Sequence, residues 1–139
     1  MTQLMVVDNS VVMAWCFEDE SNAYADGVLE KLAETTALVP SVWPLEVVNF
    51  LLVAERRKRL KQADSMQFIS LLNQLPIIVD HDRPENMIND LLALGRSTGL
   101  SSYDAAYLYL SMKNDCPLAT VDKKLLESAK AVDVALVAI

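Results

Sequence analysis

The sequence predicts an α/β domain built on a mainly parallel sheet, and two features carry that prediction. Short apolar runs alternate with longer stretches of helical period, a pattern that places parallel strands side by side with crossover helices on their faces. The runs are also uninterrupted, as at residues 4–7 (LMVV), which marks strands covered on both faces. The 139 residues are 53% apolar and 22% charged, enough for one cored domain over 1–139. Three glycines and five prolines exclude collagenous and low-complexity chains. No repeat, linker or second domain is legible.

Residues 4–7 read as the first strand. Residues 10–17 and 24–34 read as helices, parted by the acidic turn Glu18-Asp19-Glu20. Residues 37–39 form a short strand that stops at Pro40. Ser41 is the expected N-cap of the next helix, with Pro44 in a first turn whose amides have no helical partners. That helix runs from 42 to about 60. Between Val42 and Ala54 its only polar residues are Glu46 and Asn49. A helix apolar on nearly every side is buried, in the core or against another subunit. Residues 64–73 are helical and 77–79 a strand. The helix from 84 to about 96 is punctuated by Gly95 and Gly99. Ser101 or Ser102 then caps a second nearly all-apolar helix reaching Met112. Residues 118–121 are a strand, 123–130 a helix, and 134–139 a last strand.

Charge and composition narrow the function classes. The net charge of −7, from 19 acids against 12 bases, disfavours a general binder of polyanions. The bases are concentrated, however: Arg56, Arg57, Lys58, Arg59 and Lys61 are five of the 12. An anionic partner must meet this run or a bound cation. Two cysteines, Cys16 and Cys116, make no disulfide framework, and one histidine, His81, leaves zinc without its spacing. No run reaches the roughly 18 uncharged residues of a membrane span. MTQLMVVDNS lacks the basic and apolar regions of a secretory leader, so a cytoplasmic protein with no membrane partner is expected.

Three acids directly follow apolar runs: Asp8, Asp80 and Asp122. Ligands of open parallel sheets collect at such strand ends, although each acid is also a favoured N-cap. Glu46 and Asp104 lie near the starts of the two most apolar helices. Capping by Asp104 and a dipole interaction for Glu46 explain where they stand, but not an acid on a buried helix. An ionised carboxylate removed from water costs several kcal/mol unless paired or coordinated. Strand-end and helix-start acids that converge repel one another unless a cation sits among them. Oxygen ligands suit Mg²⁺ or Mn²⁺, the equipment for phosphoryl chemistry, in which the ion activates a water and stabilises the leaving oxygen. Asn49, one turn beyond Glu46, is placed to orient that carboxylate or a water. On an ideal helix Arg57 lies about 20° from Glu46 and about 16 Å along the axis, placed to grip a phosphate away from the cation.

The segments VVDNSVVMAW (6–15), PLEVVNFLL (44–52), SSYDAAYLYLS (101–111) and LATVDKKL (118–125), in this order and spacing, resemble PIN-domain ribonucleases, specifically VapC-like toxins of toxin–antitoxin modules. The resemblance spans nearly the whole chain and implies a three-layer α/β/α sandwich. It implies catalytic and metal-ligating roles for Asp8, Glu46, Asp104 and Asp122 around one or two divalent cations, with Ser10, Asn49 and Thr120 in support. It also implies an RNA substrate, a homodimer and a cognate antitoxin that blocks the site. Arg56, Arg57 and Arg59 are the expected RNA contacts. The resemblance gives Asp80 no role. Asn9 stands where the family often has Ala or Thr, and Asp133 where glycine is common.

Other classes fit less well. A receiver domain wants adjacent acids after its first strand, where Asp8 is followed by Asn9-Ser10. An aspartate-nucleophile phosphatase wants Asp at position 10, which is Ser10. A catalytically silent interaction domain, docking through its apolar helices, and a stand-alone PIN nuclease without an antitoxin are the remaining alternatives.

Overall fold

The computed structural model describes residues 3–17 and 22–139, and the acidic turn expected at 18–20 lies outside them. Strands β1 (Gln3–Val7), β2 (Thr35–Pro40), β3 (Ile77–Asp80) and β4 (Leu118–Ala119) form one sheet in the order β3-β2-β1-β4. Every pairing is parallel, and Val6 lies between Leu38 and Leu118. Uninterrupted apolar runs become the central strands because both faces are covered: Met5, Val6, Val7, Ala37 and Val39 are at most 1% exposed. Around the sheet stand α1 (Asn9–Cys16), α2 (Ala23–Lys31), α3 (Trp43–Arg56), α4 (Gln62–Gln74), α5 (Met87–Thr98), α6 (Ser102–Asn114) and α7 (Lys123–Ala131). The architecture is the expected α/β sandwich, three layers with the parallel sheet in the middle.

Several boundaries differ from the sequence expectation, each for a local reason. Ser41 does not cap α3; the helix starts after Val42 without a side-chain cap, with Pro44 in its first turn. It ends at Arg56 rather than near Leu60, because Lys58 takes a left-handed conformation (φ 60°). The amides of Lys58 and Arg59 then bond back to the carbonyls of Glu55 (3.0 Å) and Ala54 (2.8 Å). This turn satisfies the last carbonyls of α3 and lets Leu60 pack on the core. Helix α5 begins at Met87, not Pro84, since the Asp80 carboxylate accepts the Asp82 amide (3.0 Å) and holds a turn there. Gly99 ends α5 with φ 74°, a conformation suited to glycine. Asp133, following α7, takes the left-handed form itself (φ 59°), which aspartate tolerates.

The last expected strand is reduced to one bridge, Leu118 to Leu136. The β4 ladder ends after Ala119, and the Leu118 amide and carbonyl bond to Ala135 and Val137 at 2.9 Å. Val137 is buried there, and its carbonyl accepts the Tyr24 hydroxyl at 2.9 Å. The apolar helices also divide. Helix α6 is sunk into the core through Ala105, Tyr107, Leu108 and Leu110. Helix α3 buries only one side, Trp43, Val47, Phe50, Leu51 and Ala54, while Leu45 (71%), Val48 (52%) and Leu52 (41%) face out of this chain.

A non-glycine left-handed residue costs about 1 kcal/mol, so Lys58→Gly should stabilise the chain by up to that amount. Urea denaturation is the measurement; an unchanged or lower midpoint would show that the turn carries no such strain.

Candidate functional site

The site is assembled where β1 and β4 end and the first turns of α3 and α6 meet. Strand β1 delivers Asp8, which caps α1 by accepting the amides of Ser10 (3.0 Å) and Val11 (3.4 Å). The capping explanation therefore holds, but it is incomplete. The hydroxyls of Ser10 and Thr120 both donate to the same carboxylate, the latter at 2.7 Å. Ser10 Oγ and Thr120 Oγ1 in turn accept the amides of Val121 (3.1 Å) and Asp122 (3.0 Å). Two hydroxyls thus stitch the end of β1 to the end of β4. Asp8 is 4% exposed. Burial pushes its carboxyl up to about 6 despite the hydrogen bonds from Ser10, Thr120 and Val11 that favour the ionised form.

Glu46 sits in the first turn of α3, and its Oε1 accepts the Tyr107 hydroxyl at 2.6 Å. Burial raises its carboxyl, the Tyr107 bond opposes the rise, and the charge of Asp104 adds to it. Asp104 is likewise raised, first by burial and then by the charge of Asp122, against Ser101 and Lys124. Asp122 caps α7, accepting the Leu125 amide at 2.9 Å, and stays exposed. Asp8 and Asp122 stand at adjoining strand ends linked through Thr120, and the charge of Asp122 acts on Asp104 and that of Asp104 on Glu46. Capping accounts for where Asp8 and Asp122 stand, but not for the repulsion felt by Asp104 and Glu46.

Tyr107 was not singled out from the sequence. It is 1% exposed, and its hydroxyl is held protonated by burial and by the carboxylate it serves, with the charges of Asp8 and Asp104 adding. The available signal was its spacing: Tyr107 lies one helical turn beyond Asp104, on the same face.

Asp80 stands elsewhere. It ends β3, on the far side of β2 from β1, and pairs with Lys113 at 2.8 Å. Burial alone would raise its carboxyl, but Lys113 and the Asp82 amide hold it below the usual range. Asn49 is exposed and lines a groove of about 240 Å³ with Met13, Phe50, Val53, Arg57 and Arg59; the bond to Glu46 comes from Tyr107 instead. The basic run does not continue as a helix. Arg56 ends α3, while Arg59 lies past the turn with its guanidinium 4.1 Å from the Phe17 ring centroid.

Among the described residues, no three carboxylate, imidazole or thiol groups are gathered tightly enough to hold a metal ion as they lie. The kind of donor fits a hard divalent cation nonetheless. The cluster offers only oxygen, its burial and mutual repulsion favour a positive charge, and Asn9 Oδ1 beside Asp8 is buried without a partner.

Comparisons with known proteins agree with this layout. Residues 5–131 match the family model described as PIN domain. Ribonuclease VapC3 of Pyrobaculum aerophilum is 27% identical over 127 residues, covering 91% of this chain and 95% of the relative. The crystal structure of PAE2754 from Pyrobaculum aerophilum superposes with a TM-score of 0.69 at 23% identity, over 92% of this chain and 87% of that one. FitAcB from Neisseria gonorrhoeae superposes with a TM-score of 0.65 at 16% identity, over 96% of each chain. The two structures share the fold.

Ionising Asp8 in its dry position opposes folding. The cost is absent below pH 3.8, grows as the pH rises, and is complete above about 6. At about 1.4 kcal/mol per pH unit this amounts to about 3 kcal/mol in metal-free protein. Asp8→Asn keeps the capping oxygen, so it should flatten the fall in melting temperature between pH 4 and pH 6.5 in EDTA. Parallel curves for the two proteins would refute the burial argument.

Proposed function

We propose that this chain, which belongs to the PIN-domain family, is a metal-dependent endoribonuclease with a single nuclease domain over 1–139. The observation that carries the reading is the buried Asp8 tied to the Asp122 strand end through Thr120, with Glu46 and Asp104 raised beside them by burial and by one another's or Asp122's charge. The ribonuclease relative, aligned over nearly the whole chain, supports the same reaction class.

The four acids are the proposed holders of Mg²⁺ or Mn²⁺, which when bound supplies a water nucleophile and stabilises the leaving oxygen of the phosphodiester. Ser10 and Thr120 fix Asp8 through both carboxylate oxygens, which keeps the ligand oriented while the strand ends hold still. Lys124, which donates to the Gly99 carbonyl at 2.7 Å, offsets part of the charge around Asp104. Arg57 and Arg59, which line the groove with Asn49, and Arg56 at the end of α3 are the proposed contacts to RNA phosphates, with Arg59 also packing on Phe17. This local charge answers the objection that the protein is acidic overall.

The protein is proposed to act in the cytoplasm as the toxin of a toxin–antitoxin pair. No helix among the described residues is long and apolar enough to cross a membrane. The outward apolar row Leu45, Val48 and Leu52 on α3 is the proposed seat of a homodimer contact.

Cleavage of RNA should require Mg²⁺ or Mn²⁺ and stop in EDTA. Asp104→Asn should lower it by at least about a hundredfold. Asp80→Asn should leave cleavage near wild type while losing its Lys113 pair, at a cost of about 1 kcal/mol or less. Gel assays of all three proteins test this, and full cleavage in excess chelator, or an inactive Asp80→Asn beside an active Asp104→Asn, would refute the assignment.

Replacing Arg56, Arg57 and Arg59 together by Ala should weaken RNA binding. It should also flatten the plot of log affinity against log salt by about 0.7 per lost single-strand phosphate contact. Filter binding across a salt series decides the matter; an unaltered slope would make the run a solvated helix end.

A further inference from the structure

The pairing of Glu46 with Tyr107 joins two helices at the acidic site. Tyr107 lies on the core helix α6 and is 1% exposed, so its hydroxyl is cut off from water. A buried phenol needs an acceptor, and the acceptor here is Glu46 Oε1 at 2.6 Å. Glu46 lies on α3, a helix that buries one side only and leaves Leu45, Val48 and Leu52 exposed. A glutamate has more freely rotating bonds than an aspartate, and its carboxylate on such a helix needs an anchor to keep one orientation. Asp8 receives that service from two hydroxyls, Ser10 and Thr120. For Glu46 the anchoring hydroxyl comes from a different helix.

We propose that Tyr107 is a positioning residue of the acidic site: its hydroxyl fixes one oxygen of Glu46, so that the other would be free to serve the cation that Asp8, Glu46, Asp104 and Asp122 would hold. This deepens the metal-dependent reading above and rests on it. In this role Tyr107 would act through Glu46 rather than touch the cation or the substrate. Its location, one turn beyond Asp104 on the same face of α6, means that a single rigid helix sets the spacing between Asp104 and the clamp on Glu46. A second consequence concerns the phenol itself. Because it only donates, replacing it by phenylalanine removes the clamp with little change of shape and frees Glu46 to turn towards solvent.

The test uses the full chain and the metal alone. Mn²⁺ affinity is measured by the loss of the free-ion electron paramagnetic resonance signal for wild type, Tyr107→Phe, Glu46→Gln and the double variant. Circular dichroism of the metal-free proteins checks that each is folded. Tyr107→Phe should weaken Mn²⁺ binding by about tenfold to a hundredfold, the range for groups that orient ligands. In the Glu46→Gln background the same change should have no further effect, because the amide oxygen can still accept the phenol but the side chain offers the cation no ionised oxygen to orient. A merely structural role would add its effect in both backgrounds. An unclamped Glu46 should also lower kcat for RNA at saturating Mn²⁺ more than it changes KM. Should Tyr107→Phe fail to fold, wild type alone still reports: Mn²⁺ should perturb the ultraviolet absorption of a tyrosine, and a flat difference spectrum would overturn the proposal. Wild-type affinity in Tyr107→Phe, or full additivity with Glu46→Gln, overturns it as well. A wild type that binds no Mn²⁺ refutes the metal-dependent reading together with this clamp, whereas tight wild-type binding unchanged by Tyr107→Phe refutes the clamp alone.

Discussion

A carboxylate placed at the dry end of a strand buried on both faces sets the terms for everything around it. Asp8 follows Val6 and Val7, which are almost wholly enclosed, and is itself 4% exposed. Such a group is tolerated only if its oxygens are occupied, and the chain supplies two amides from α1 and two hydroxyls from Ser10 and Thr120. Those same hydroxyls accept amides from the chain leaving β4, so satisfying the acid also fixes where Asp122 stands. The two strand ends become one unit because a single buried charge demands it.

The helices complete the arrangement through a second buried polar link. Helix α6 is deeply embedded, and its Tyr107 phenol finds an acceptor on α3. The buried face of α3, Trp43, Val47, Phe50, Leu51 and Ala54, sets its rotation against the core. The phenol-to-carboxylate bond adds a polar contact between the two helices. In this way the apolar character of the two helices and the presence of one acid on each have a common cause: the helices are buried enough to hold the acids still, and the acids are few because each is costly there.

Charge is distributed with the same economy. Acids stand at the β1 and β4 ends, while the basic run lies at and past the end of α3, with Arg57 and Arg59 lining the groove that Asn49 also lines. Asp80 shows the contrast with a structural acid. It occupies an equivalent strand-end position, yet Lys113 lies 2.8 Å away, so its carboxyl is lowered and no repulsion remains to be relieved. Strand-end position alone does not distinguish it from Asp8; the neighbour on α6 does.

By itself the sequence determined the layered α/β class, the parallel sheet and the order of its elements. Uninterrupted apolar runs, helical periods and capping residues such as Asp8, Ser101 and Asp122 act over a few neighbours, and local rules read them directly. The four acids were legible as candidates for the same reason, since each stands at a strand end or helix start. Only the tertiary structure decided what happens between distant segments. It ended α3 at Arg56 so that Leu60 could pack, cut the last strand to a single bridge at Leu136, and paired Asp80 with Lys113. It also placed Tyr107 on Glu46, 61 residues earlier in the chain. No local pattern encodes such contacts, because their energy comes from burying polar groups together, and which groups meet depends on how the whole sheet is covered.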